Sequence, residues 1–258
     1  VARLDQRRQA VRIPRLRHAG KEVTPTYRRE QKIVPSQAHA DGESASEEET
    51  VIKIHHLNHS RSTRVIWLME ELNEPYEIVQ HMRDPNTFRS PQTLERVHPL
   101  GKAPVIEDGP LMLAESGAII EYLISTYGRG KLAPAPGGSS WARYIELLHF
   151  AEGSAMFPLL VHLLGMFTGG LSDGLKGFIT PDIAKILKYL DAEVARNGYL
   201  MAEGFTGADI QMSYVVEIAR MGKLHEPYAS LEAWMARLEQ RPAYKRAIER
   251  GGPVRLPI

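Results

Sequence analysis

From Val51 onward, apolar and polar residues follow recognisable periods, whereas residues 1–50 develop none: arginines crowd their first part and acidic residues crowd Asp41 to Glu49. That segment reads as a disordered extension, without the apolar block of a signal peptide. Val51 to Leu57 reads as a strand that meets the polar turn Asn58-His59-Ser60-Arg61. A helix follows from about Ser62 to Leu72, with Val65, Leu68, Met69 and Leu72 on one face. Asn73 and Pro75 stop it before a second strand, Tyr76 to Met82. Pro85 and Pro91 leave room only for a short irregular helix before Val97. The run from His98 to Ile106 passes into a strand, turns at Asp108-Gly109-Pro110 and returns over Leu111 to Ala114, a hairpin. Glu115-Ser116 then opens a helix with Ile119, Ile120, Leu123 and Tyr127 on one face, ended by Gly128.

The order strand, helix, strand, hairpin, helix completes a small α/β layer over residues 51–129, and the Gly-, Pro- and Ser-rich stretch from Gly130 to Ser140 reads as a linker. Beyond it, over residues 141–258, the pattern is helical throughout: Trp141 to about Gly170, Thr180 to Arg196, Thr206 to Met221, Leu231 to Gln240 and Pro242 to Arg250. Thr180 is expected to cap the second of these helices, with Pro181 at its first position, where a missing N–H costs nothing. Thr206 and Asp209 have the spacing of a capping box.

Composition narrows the chemistry. A formal charge of +1 is a near balance of both signs, so no global field favours nucleic acid, and small neutral or amphiphilic ligands fit better. The chain has no cysteine, which excludes disulfides, thiolate zinc sites and a protein-borne thiol nucleophile. Any sulfur chemistry must therefore come from a ligand. The apolar stretch from Phe150 to Leu171 carries Glu152, Pro158 and His162, and reads as a core helix instead of a membrane span. His149 and Glu152 are spaced like metal ligands, but no second pair accompanies them, so no metal is expected.

Four segments carry a resemblance: HHLNHSRSTRVIWLMEEL from His55 to Leu72, HPLGKAPVIEDG from His98 to Gly109, LAESGAIIEYL from Leu113 to Leu123, and FTGADI from Phe205 to Ile210. In this order and spacing they resemble the cytosolic glutathione transferases, serine-type bacterial and fungal group, over roughly Val51 to Arg250. The resemblance implies a thioredoxin-like glutathione-binding domain followed by an all-helical substrate domain, glutathione as co-substrate, a small hydrophobic electrophile, a cytoplasmic enzyme and a two-fold homodimer. It also implies a cis bond between Ala103 and Pro104, with Ala103 pairing to the ligand's backbone. Lys102 would face the glycyl carboxylate, and Glu115 and Ser116 would hold the γ-glutamyl end.

The nucleophile of such chemistry is the thiolate, and lowering a thiol pKa by about two units requires roughly 2.7 kcal/mol of preference for the anion. A charge-assisted hydrogen bond beside a helix N-terminus supplies that much. Ser60 is the leading candidate donor, with Asn58 and Ser62 of the same turn as alternatives, and Arg61 adds positive potential. Asn58, Tyr144, His149, Glu152, Met156 and Phe157 are candidates for the second-substrate pocket, although helix packing also wants such side chains. A non-catalytic interaction module of the same fold, an ether lyase and a peroxidase are the competing readings.

Overall fold

The computed structural model describes residues 51–255, so the extension expected at residues 1–50 lies outside the described residues. β1 (Ile52–Leu57) runs parallel to β2 (Tyr76–His81), with Ile52 opposite Tyr76 and Leu57 opposite His81. It runs antiparallel to β3 (Val105–Asp108), which closes a hairpin with β4 (Leu111–Ala114). The sheet order is β2-β1-β3-β4. α1 (Thr63–Leu72) makes the crossover between the parallel strands, a short α2 (Gln92–Val97) precedes β3, and α3 (Ser116–Tyr127) follows the hairpin. This is the small α/β layer that the strand and helix periods predict, in the thioredoxin-like form that the resemblance implies.

Because side chains alternate across a strand, Ile52, Ile54 and His56 share one face of β1 and His55 the other. On the first face, His56 Nε2 lies 2.8 Å from the carbonyl oxygen of Gly251, which ties the chain's last helix to the sheet. On the second, His55 joins Glu107 at 2.7 Å and His81 at 3.1 Å, and His81 reaches Thr93 of α2 at 3.0 Å.

The remaining described chain is helical: α4 (Ser139–Phe150), a π-helical turn (Ala151–Ala155), α5 (Met156–Phe167), α6 (Asp173–Asn197), α7 (Gly207–Met221), α8 (Ala229–Glu239) and α9 (Pro242–Gly251). The run from Ser139 to Phe167 is long and apolar enough by length and composition to cross a membrane. Here, however, Tyr144, Leu147, Leu159 and Leu163 pack into the bundle core.

α7 is the bundle's axis, packed against α1, α3, α4 and α5, and most of its residues are buried. The expected capping box is present: Thr206 N–H donates to Asp209 Oδ2 at 2.9 Å, and Ala208 N–H donates to Thr206 Oγ1 at 3.3 Å. Gly207 is needed at the first helical position, since a Cβ there would stand 2.6 Å from Ile124 Cδ1 and 2.7 Å from the Tyr144 hydroxyl.

One helix start differs from the sequence reading. α6 begins at Asp173, capped by Ser172 Oγ accepting from Leu175 N–H at 3.3 Å, so Pro181 lies inside the helix and Thr180 caps nothing. Proline there removes the intrahelical hydrogen bond to the Gly177 carbonyl and crowds that carbonyl, yet the helix continues through it from the Ser172 cap upstream. The turns this adds are mostly exposed and include Phe178.

Candidate active site

The turn between β1 and α1 is a small hydrogen-bonded network. His56 Nε2 faces a carbonyl, which only accepts, so that nitrogen carries the ring hydrogen and Nδ1 is an acceptor. Burial pushes the His56 pKa down, which keeps the ring neutral. Ser62 Oγ therefore donates to His56 Nδ1 at 2.8 Å. Ser60 Oγ in turn donates to Ser62 Oγ at 2.7 Å, and Leu57 N–H donates to Ser62 Oγ at 3.2 Å. Ser60 and Ser62 are both buried, their hydroxyls turned into the protein.

Arg61 and Arg64 reach the other way and converge on Glu152 in the π-helical turn. Arg61 Nε lies 2.9 Å from Glu152 Oε2, and Arg64 Nη2 lies 2.6 Å from Oε1. Burial alone would raise the Glu152 pKa, but the charges of Arg64 and Arg61 outweigh it and hold the carboxyl below the usual carboxylate range. Arg64 is buried and also donates to Ser116 Oγ at 3.3 Å, at the first residue of α3. Gln211 of α7 donates to the same hydroxyl at 3.2 Å. The start of α3 is thereby fixed from two sides.

Two cavities open around this cluster. The first is a groove of about 280 Å³ whose walls include Arg61, Lys102, Ala103, Pro104, Glu115, Ser116 and Glu152. The Ala103–Pro104 bond is cis, as the resemblance implies, and Glu115 sits at φ 71°. A non-glycine residue there costs on the order of 1–3 kcal/mol and is typical of sites that hold a ligand. The second cavity, of about 540 Å³, is mostly apolar, with Met156, Leu160, Leu163, Phe167 and Ile218 on its walls, together with His59, Arg61, Arg83, Phe88 and Tyr214. Arg61 and Leu160 line both cavities.

The structure thus brings Lys102, Ala103, Pro104, Glu115, Ser116 and Glu152 to one groove, and Met156 to the adjoining pocket. Ser60 lines neither cavity, because its hydroxyl is committed to Ser62. Asn58 is withdrawn as well: its side-chain oxygen accepts from Arg83 N–H at 2.7 Å. Tyr144 is buried against the start of α7, and its ring lines a separate cavity of about 350 Å³ with Trp141 and Pro134. His149 and Phe157 are exposed and line neither cavity. The sequence reading missed Arg83 and Tyr214. Arg83 stood in a polar segment with no period, and Tyr214 lay inside the helix from Thr206 to Met221 with no local signal to single it out.

Beneath Arg64, Glu217 of α7 accepts from the Tyr244 hydroxyl at 3.2 Å. Burial, its largest influence, pushes the carboxyl up to about 7, against the pull of Tyr244 and Arg64. An acid whose pKa rises on folding contributes stability that is complete below its unfolded value near 4.5 and is lost as pH rises through about 7. Because the residue is only partly buried, the loss expected from about pH 5 to about pH 8 is roughly 2 kcal/mol, and Glu217→Gln should abolish that slope. Urea unfolding of both proteins at the two pH values checks this; parallel slopes would count against it.

Comparison with known proteins gives these cavities a family. Residues 54–134 match the model of the glutathione S-transferase N-terminal domain, and residues 180–242 match that of the C-terminal domain. Glutathione S-transferase 3 of Schizosaccharomyces pombe is 32% identical over 214 residues, covering 78% of this chain and 88% of that protein. Glutathione S-transferase 1 of Saccharomyces cerevisiae is 28% identical over 223 residues, covering 78% and 95%. Among solved structures, a glutathione S-transferase from Actinobacillus pleuropneumoniae superposes with a TM-score of 0.72 at 29% identity, covering 78% of this chain and 93% of that one. With a sheet layer that carries the groove and a helical bundle that walls the pocket, the chain belongs to the glutathione S-transferase family of enzymes.

Proposed function

We propose that this enzyme binds glutathione in the groove and an apolar electrophile in the adjoining pocket, and that the tripeptide's thiolate attacks the electrophile where the cavities meet. One observation carries the reading: Lys102, Ala103, Pro104, Glu115 and Ser116, separated in sequence, line a single groove that shares the Arg61 wall with an apolar pocket. The γ-glutamyl end takes the start of α3, where backbone N–H groups and Ser116 face its carboxylate and Glu115 faces its ammonium. Lys102 takes the glycyl carboxylate. The thiol loses its proton to solvent, the C–S bond forms, and the electron pair leaves with the displaced group or moves into the activated alkene.

The thiolate lies beside the Ser60-Arg61 turn. Arg61 supplies positive charge at the cavity wall. Ser60 donates once its side chain rotates from Ser62 toward the groove, and the Ser62 oxygen keeps the Leu57 N–H as a donor. Ser60→Ala is expected to raise the pKa of bound glutathione by about one unit and to lower kcat/KM about tenfold near neutral pH, the effect of one hydrogen bond to an anion. Thiolate absorbance against pH and turnover of 1-chloro-2,4-dinitrobenzene measure the two quantities. If Ser60→Ala leaves the thiol pKa in place and Arg61→Met raises it, the guanidinium is the anion's partner. If the wild-type protein neither stays on immobilised glutathione nor turns over any electrophile, the transferase reading fails.

A further inference from the structure

The apolar pocket holds a positive charge that no acid of its lining balances among the described residues. Its lining includes Arg61 and Arg83 but no Asp or Glu. Arg83, just after β2, spends three donors on backbone carbonyls: Nε on Asn58 at 3.1 Å, Nη1 on Phe88 at 2.9 Å and Nη2 on His59 at 3.5 Å. A guanidinium has about five N–H donors, so roughly two remain. Its plane is braced over the Phe88 ring, 4.6 Å from the centroid. Among the described residues no carboxylate pairs with it. Its neighbour Asp84 has turned Oδ1 to Asn86 N–H, Thr87 N–H and the Thr87 hydroxyl.

Nor does the rest of the cluster balance this charge. Arg61 and Arg64 share the single carboxylate of Glu152. Neither that carboxylate nor any other among the described residues pairs with Arg83 at the junction of groove and pocket. Arg83 is partly buried and the pocket's far wall is apolar, so an ion pair formed there is stronger than one in open water. Arg83 lines the pocket and not the groove, so it stands on the electrophile's side of the site.

From this we infer that the pocket selects electrophiles bearing a carboxylate at one end of an apolar body: the carboxylate docks on Arg83 and the electrophilic carbon is left toward the groove. The inference rests on the transferase reading above and assigns its substrate class. Arg83 would be a specificity-determining residue, acting on which electrophile binds and how it points.

The test compares 4-chloro-3-nitrobenzoate with its uncharged methyl ester. In both, glutathione sulfur bonds to the ring carbon and chloride leaves with the electron pair. Each kcat/KM is divided by the uncatalysed rate of the same compound, which removes the difference in intrinsic reactivity. The acid-to-ester ratio of the wild-type protein is expected to fall about tenfold in Arg83→Gln, whatever happens to either rate alone, and to be largely kept in Arg83→Lys. A second measurement needs no variant: unreactive 3-nitrobenzoate should inhibit ester turnover at about a tenth of the concentration that its methyl ester requires, an advantage that added salt erodes. Equal inhibition by acid and ester overturns the inference, as does a ratio that Arg83→Gln leaves unchanged or that only Arg61→Gln lowers. Turnover of the ester without discrimination would sink the charge selection and leave the transferase intact. Absence of turnover with both compounds and with 1-chloro-2,4-dinitrobenzene would sink the transferase reading itself.

Discussion

Asp209→Ala is expected to lower the unfolding free energy by about 4 kcal/mol, because several buried donors lose their acceptor at once and each costs roughly 1–3 kcal/mol before the surroundings relax. The carboxylate at the start of α7 accepts from Leu200 N–H at 3.0 Å, Thr206 N–H at 2.9 Å and Trp234 Nε1–H at 3.0 Å. It therefore joins the loop before α7, the first turn of α7 and the middle of α8. Asp209→Asn keeps one acceptor oxygen but turns an amide toward donors, so about half of the loss should remain, whereas Thr206→Ala removes only a cap, about 1 kcal/mol. Urea unfolding followed by tryptophan fluorescence gives the three values. A loss under about 1 kcal/mol for Asp209→Ala would mean that those donors find other partners.

This capping box was legible because its geometry is local: a threonine, an aspartate three residues on and an apolar flank determine a helix start wherever they occur. The sheet was legible for a similar reason, since Ile52, Ile54 and Leu57 mark β1 ahead of a polar turn and the hairpin turns at Asp108-Gly109-Pro110. α6 shows where local rules compete. Pro181 suits a first turn, but Ser172 caps farther upstream, and nothing in the periodicity ranks one signal above the other.

The groove could be read in part because its residues cluster near β3 and α3, and the resemblance carried the rest. The pocket could not. Residues His149, Glu152 and Met156 fall on one face of an ideal α-helix, yet the structure sends Glu152 to the groove, Met156 to the pocket and His149 to solvent. The cause is the π-helical turn Ala151–Ala155, in which Met156 N–H bonds to the Ala151 carbonyl, five residues back. One extra residue in the turn rotates every later side chain, and such bulges concentrate at functional sites. Arg83 and Tyr214 reach the same pocket from a loop and a buried helix, a meeting that only tertiary packing creates.

The same turn makes Glu152 the counter-ion of a buried arginine, and its removal should be nearly as damaging as that of Asp209. Glu152→Ala leaves Arg64 buried without a hydrogen-bonded carboxylate, and a broken pair of this kind costs on the order of 3–5 kcal/mol; partial exposure of Glu152 places the expected loss near 3. Arg64→Met should cost less, because Glu152 keeps Arg61 as a partner while Ser116 keeps Gln211. The double variant should be more stable than the sum of the two losses implies, by about 1–2 kcal/mol, since the second substitution removes the charge that the first left stranded. A double-mutant cycle in urea measures that coupling, and strict additivity would show that the two residues do not act as a pair. Retention on immobilised glutathione separates stability from site geometry. Arg64→Met releases the Ser116 hydroxyl from one of its two donors and should weaken retention even where the protein stays fully folded.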